Sequence, residues 1–351
     1  MKAIMPNISV SAICSCLPEN TFEISSLSSI YGEKRIKRII NSTGVERVHI
    51  ADEDVTASDL CIRASEHLLD KLSIARETID AVVFASFSPD YILPATSARI
   101  QHKLGLKKET VIFDINYGCS AYIYGLYQAS ILIKSGGCKK VLVCCGDVQS
   151  KLINAKDRSL KVILGDAGSA TLVEEGTGNM NFLIKTDGSG YQHLIIPAGG
   201  ERIPYSEETS IEKEYEDGNV RSQNDLYMDG MQVMRFALKE VPPVVSEIMH
   251  ITDWSKEEVG TYAFHQPNKL VLDYLRSEIG IDNHDAFPIA LKNTGNTAAA
   301  SIPLLLCLEH EKLRQEKRLN KVVACGFGIG LSWGAATMDL SNTEILNVIR
   351  Y

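Results

Sequence analysis

At 351 residues the chain is long enough for a large core and exceeds the usual size of one simple domain. Hydrophobic residues at 45% and charged residues at 23% are ordinary for a globular protein and give no ground for disorder. The net charge of −8 argues against non-specific nucleic-acid binding, and no apolar run approaches the roughly 20 residues that cross a bilayer.

The N-terminus, Met1 to Pro6, carries one positive charge and an early proline. It lacks the apolar stretch and cleavage site of a signal peptide, so it reads as a first strand of a cytoplasmic protein. The nine cysteines are an odd number with no C-x-x-C pair. A disulfide framework is therefore not expected, and most of them read as small buried hydrophobes.

Further along, the chain repeats itself. A strand over Ile79–Ser86 leads through an amphipathic stretch ending at Leu106 into a second strand, Val111–Asp114. Gly118-Cys119-Ser120-Ala121 then opens an apolar helix, which runs into the strand Val141–Cys145. The later half has the same order: Val259–Gln266, an amphipathic stretch ending at Ile281, a weaker strand Ala286–Ile289, Gly295-Asn296-Thr297-Ala298 opening a helix, and the strand Val322–Cys325. Apolar strands alternating with helices imply parallel sheets buried on both faces. Two βαβαβ halves are expected, over residues 1–175 and 176–351, with helices shared between their sheets. The polar, Glu-rich stretch 199–224 reads as an inserted surface loop.

Ligands of such α/β folds bind at the carboxyl ends of strands, where three polar residues fall. Cys119 follows a strand and a glycine and begins a helix, whose dipole is expected to lower the thiol pKa. His265 ends a strand and can donate or accept a proton near neutrality. Asn296 alone reads as a helix cap, but it holds nearly the place in its half that Cys119 holds in the other. The Gly-rich turn from Gly326 to Gly334 can present backbone N–H groups to an oxyanion together with the N–H of Cys119. No metal-ligand spacing appears.

Taken in order, these residues resemble the ketoacyl-ACP synthase III family of thiolase-fold condensing enzymes. The likeness spans nearly the whole chain. It is carried by Thr43-Gly44-Val45-Glu46-Arg47, Asp114 to Ser120, His265-Gln266-Pro267-Asn268, Gly295 to Pro303 and Gly328 to Gly334. The resemblance implies a five-layered α-β-α-β-α sandwich, usually a homodimer. It implies a ping-pong acyltransferase of fatty acid biosynthesis, with Cys119 as nucleophile and His265 and Asn296 stabilising an enolate. The oxyanion hole would be the backbone of Cys119 and Ile329. Arg158 and Asn268 would be substrate contacts, and Leu93 the position that lines a neighbouring subunit's acyl pocket. No cofactor is implied, only acyl-CoA or acyl-ACP thioesters as substrates.

Members primed by CoA carry a tryptophan and an arginine before the Thr-Gly. Here that stretch is Arg38-Ile39-Ile40-Asn41-Ser42, and Leu270 replaces an arginine after the histidine motif. The expected CoA grip is thus incomplete, which leaves acyl carrier protein beside CoA as the donor to be distinguished. Arg235 and Lys239, at helical spacing, are candidates for its docking patch, weighed against a merely solvated face. Three other readings compete. One is acyl transfer to a hydroxyl or amine without decarboxylation. Another is a papain-like thiol hydrolase, opposed by the flanks of Cys119. The third is a non-catalytic partner subunit, opposed by the presence of Cys119.

Overall fold

The computed structural model describes residues 1–351. Strand β1 (Lys2–Leu17) is followed by α1 (Ala57–Lys71), β2 (Ala81–Ala85), α2 (Thr96–Lys103) and β3 (Val111–Ile115). Then come α3 (Ala121–Lys134), β4 (Lys140–Asp147), the single turn α4 (Arg158–Lys161) and the long β5 (Ala167–Thr186). The second half contributes α5 (Gly230–Thr252), β6 (Thr261–Phe264), α6 (Lys269–Ile279), α7 (Ser301–Gln315), β7 (Val322–Gly328) and β8 (Ser332–Met338).

The strands run in the order β6-β7-β8-β5-β4-β2-β3, with β1 antiparallel along β5. Strands β2, β3 and β4 are mutually parallel, as are β6 and β7. The first part of β5, Ala167–Glu174, pairs with β4, and its end, Asn181–Thr186, pairs with β8. One strand therefore belongs to both halves.

Alternation along the strands sorts their side chains into three cores. Val82, Phe84, Leu142 and Cys144 pack under α1 and α2. Ala81, Val83, Val141, Ala263, Val322 and Ala324 face the shared middle layer, with Leu126 of α3 and Ile302 and Leu305 of α7. Tyr262, Phe264, Val323 and Cys325 face α5 and α6 on the far side. The result is the α-β-α-β-α order expected of a thiolase-like fold. Strands β2, β4, β6 and β7 are buried on both faces, which is why their sequences are apolar, whereas edge strand β3 is largely exposed.

One expected strand is missing. Residues 286–289 form no strand; a 3-10 turn over His284–Ala286 leads into coil. Pro288 has no N–H for a ladder, so the second half lacks the counterpart of β3. No helix is long and apolar enough to cross a membrane.

The stretch 199–224 lies on the surface but is fastened. Arg221 is 4% exposed and forms an ion pair with Asp157, itself fully buried. Its guanidinium also lies 5.6 Å and 5.5 Å from the rings of Tyr215 and Tyr227. Removing one partner of a buried ion pair leaves the other charge unpaired. Arg221→Ala is expected to lower the unfolding free energy by about 3 kcal/mol in urea titrations and to expose this segment to protease. A loss below about 0.5 kcal/mol, the range of a neutral surface substitution, would contradict the fastening.

Candidate active site

Three of the polar residues singled out in the sequence meet. Cys119, His265 and Asn296 line one narrow cavity of about 60 Å³, walled by Phe87, Leu160, Leu164, Phe327 and Ile329. The nucleophile candidate sits between β3 and α3, and β7 passes directly over it. A Cβ on Gly328 would lie 2.7 Å from Cys119 Cβ and 3.0 Å from its Sγ, so only glycine admits this approach.

Burial pushes the Cys119 thiol up to about 12, and the buried Asp147 adds to the rise. The backbone N–H groups of Cys119 and Ile329 pull the other way, because both face the sulfur. The acidified thiol expected from the helix terminus is therefore not found. Helix α3 starts only at Ala121, and desolvation in an apolar cavity outweighs a partial dipole charge.

His265 closes β6. Its N–H donates to the Cys325 carbonyl at 2.8 Å, which fixes the backbone against β7. The ring is 2% exposed, and its Nδ1 lies 2.7 Å from Ser301 Oγ. Burial lowers its pKa to about 3, so the imidazole is neutral at physiological pH.

Asn296 is held by the other half of the chain. Its N–H donates to Ile163 O at 2.7 Å, and its carbonyl accepts from Gly165 N at 3.0 Å. Gln149 Nε2 also donates to that carbonyl, at 2.7 Å. The side-chain Oδ1 accepts from Ala298 N at 2.9 Å. This bond orients the amide and leaves Nδ2 as the unpaired donor. Gly295 has φ of +67°, and a Cβ there would lie 2.5 Å from Ile163 O.

The remaining candidates lie outside the cavity. Arg158, on the helical turn whose Leu160 lines it, donates through Nη2 to Asp217 O at 2.6 Å. Asn268 caps α6, accepting from Val271 N at 2.9 Å. Leu93 is 85% exposed, beside Ile92 at 94%. No group of three or more His, Cys, Asp or Glu side chains is arranged to hold a metal.

Sequence reasoning passed over Asp147. Fully buried at the end of β4, its Oδ1 accepts from Ser86 Oγ at 2.8 Å, Phe87 N at 2.9 Å and Ser88 Oγ at 3.1 Å. Its Oδ2 accepts from Ala299 N at 3.0 Å, three residues beyond Asn296. A carboxylate directly after an all-apolar strand was the available signal. Ser301 and Gln149 carried none.

Comparison with known proteins bears on this geometry. The family profile described as 3-oxoacyl-[acyl-carrier-protein (ACP)] synthase III matches residues 113–188. Its C-terminal counterpart matches residues 249–340. The chain is similar to a beta-ketoacyl-[acyl-carrier-protein] synthase III of Clostridium perfringens, at 33% identity over 92% of this chain and 96% of that one. A protein of the same name from Lactococcus lactis is 31% identical over 94% and 98%. The crystal structure of a 3-oxoacyl-(acyl-carrier protein) synthase from Burkholderia xenovorans superposes with a TM-score of 0.92. That protein is 32% identical, and the match covers 100% of this chain and 99% of the other.

Asp147 offers a test of how the cavity is assembled. Burial raises its pKa to about 7, against the pull of its four donors. Between the unfolded value of 3.8 and about 7 the folded state therefore binds more protons than the unfolded one. Its contribution is present below that window and is lost as pH rises through it. Asp147→Asn turns an NH₂ toward an N–H donor. It is expected to cost about 2 kcal/mol of unfolding free energy at pH 5, read by urea titration, and to flatten this part of the pH dependence. An unchanged stability–pH curve would contradict the assignment.

Proposed function

The chain belongs to the 3-oxoacyl-[acyl-carrier-protein] synthase III family, and we propose that it loads an acyl group onto Cys119 and condenses it with a malonyl thioester. One observation carries this reading. A thiol faced by two backbone N–H groups shares its narrow apolar cavity with two neutral hydrogen-bonding side chains.

In the first half-reaction Cys119 Sγ attacks the carbonyl carbon of an acyl thioester. The thioester C–S bond breaks, and the thiol proton leaves on the released CoA or carrier thiol. The N–H groups of Cys119 and Ile329 stabilise the tetrahedral oxyanion. In the second, His265 and Asn296 donate to the carbonyl oxygen of the malonyl thioester. Its C–CO₂⁻ bond breaks, releasing carbon dioxide, and the electron pair is held as an enolate. The enolate carbon attacks the acyl group on Cys119. The sulfur departs and takes one proton from solvent. Apolar walls favour neutral carbon dioxide over the carboxylate.

Carrier protein and CoA thioesters are the partners in this reading, with no resident cofactor. Arg235 and Lys239 are exposed on α5, whose Val233 lines the cavity, and they suit an acidic carrier. Arg158 meets the pantetheine arm outside the cavity, and Asn268 acts through the cap that follows His265. Edge strand β3 exposes Val111 and Phe113, and Ile92 and Leu93 are exposed in the segment between β2 and α2. Two copies pairing along β3 would form a homodimer that brings Leu93 of each to the other's acyl pocket. The halves 1–175 and 176–351 are then duplicated units of one cytoplasmic enzyme.

Product analysis tests the reaction. Acyl-CoA with malonyl-ACP is expected to give carbon dioxide and a 3-oxoacyl thioester two carbons longer. His265→Ala and Asn296→Ala are expected to slow carbon dioxide release by about 100-fold or more. An ester or amide formed without carbon dioxide would replace this reading with simple acyl transfer.

A further inference from the structure

The two donors proposed to hold the enolate differ in how they are fixed. The Asn296 amide is oriented by the Ala298 N–H. A neutral imidazole is ambiguous, because either ring nitrogen can carry the proton. Only a proton on Nε2 serves the enolate, since a lone pair there would repel the developing negative charge. What decides the matter is the partner of Nδ1.

That partner is the Ser301 hydroxyl, at 2.7 Å. A carbonyl or carboxylate in its place would draw the proton to Nδ1 and turn a lone pair toward the cavity. A hydroxyl can donate instead, and Ser301 Oγ has no other hydrogen-bond partner competing for its proton. Ser301 is 2% exposed and His265 is 2% exposed, so water does not substitute readily for this bond. Ser301 is also the first residue of α7, five positions beyond Asn296 on the same buried segment.

We propose that Ser301 is a positioning residue for condensation: its hydroxyl donates to His265 Nδ1, keeps the proton on Nε2 and aims that N–H, beside Asn296 Nδ2–H, at the malonyl thioester oxygen. The segment from Asn296 to Ser301 thus supplies one donor and orients the other. The first half-reaction does not use this pair, so the proposal separates the two half-reactions. It rests on the condensing reading above.

The experiment measures the two steps independently. Acylation of Cys119 is followed by intact mass with an acyl-CoA. Carbon dioxide release from malonyl-ACP is followed on enzyme that is already acylated. Ser301→Ala is expected to leave the acylation rate within about twofold and to slow carbon dioxide release by about tenfold or more. Ser301→Thr keeps the hydroxyl, and Ser301 borders a small cavity with Gln266 and Thr297. It is expected to restore the release. Nitrogen-15 spectra of histidine-labelled wild type, with His265→Ala identifying the signal, are expected to show the proton on Nε2.

Equal losses in both steps, no loss in either, or a proton on Nδ1 would overturn the proposal. If Ser301→Ala does not fold, the wild-type spectrum alone decides. Wild-type enzyme that releases no carbon dioxide would instead overturn the condensing reading, so the two failures are distinguishable.

Discussion

The geometry of the site depends on one buried carboxyl group. Asp147 receives Phe87 N from the first half and Ala299 N from the second, and so pins the segment carrying Asn296 beside the loop that follows β2. A carboxyl group out of water is costly unless its lone pairs are occupied. Four donors occupy these, two of them backbone groups that no side-chain substitution can supply. Gln149 adds a second tie across the same seam, donating to both Gly165 O and Asn296 O. The halves do not merely pack; they are hydrogen-bonded where the chemistry sits.

Burial then sets the reactivity of the groups that meet there. The same desolvation raises the Cys119 thiol and lowers the His265 imidazole, so both are neutral at rest. In the proposed reaction, a neutral imidazole would hold the enolate oxygen without gripping the carboxylate that leaves. A thiol that ionises only as it reacts needs its stabilisation in place beforehand. In the proposed reaction the N–H groups of Cys119 and Ile329, which face the sulfur, would provide it at no cost in reorganisation.

Much of this was legible in the sequence, for a physical reason. Strands buried on both faces must be apolar along their length, so β2, β4, β6 and β7 stand out, and their order reads as a repeat. Cys119 and His265 stand out because each follows a strand at its binding end, and Asn296 because it holds nearly the place in its half that Cys119 holds in the other. What could not be read depends on distant partners. The weak apolar run at 286–289 reads as a strand until Pro288 is weighed. The Cys119 thiol reads as acidified until the walls around it are known. Arg221 sits in a stretch that looks solvated, yet Asp157 and two tyrosines enclose it. Ser301 differs from any other serine at a helix start only through the histidine it touches.

The claim at the centre is that Cys119 carries the acyl group. Intact-protein mass spectrometry after mixing with a panel of acyl-CoA and acyl-ACP thioesters tests it most directly, with Cys119→Ala as the control. An adduct of acyl mass that is absent from the variant is the expected result, and the best donor reports chain length and carrier. Folded protein that acquires no adduct from any donor, or that acquires the same adduct without Cys119, would contradict the account.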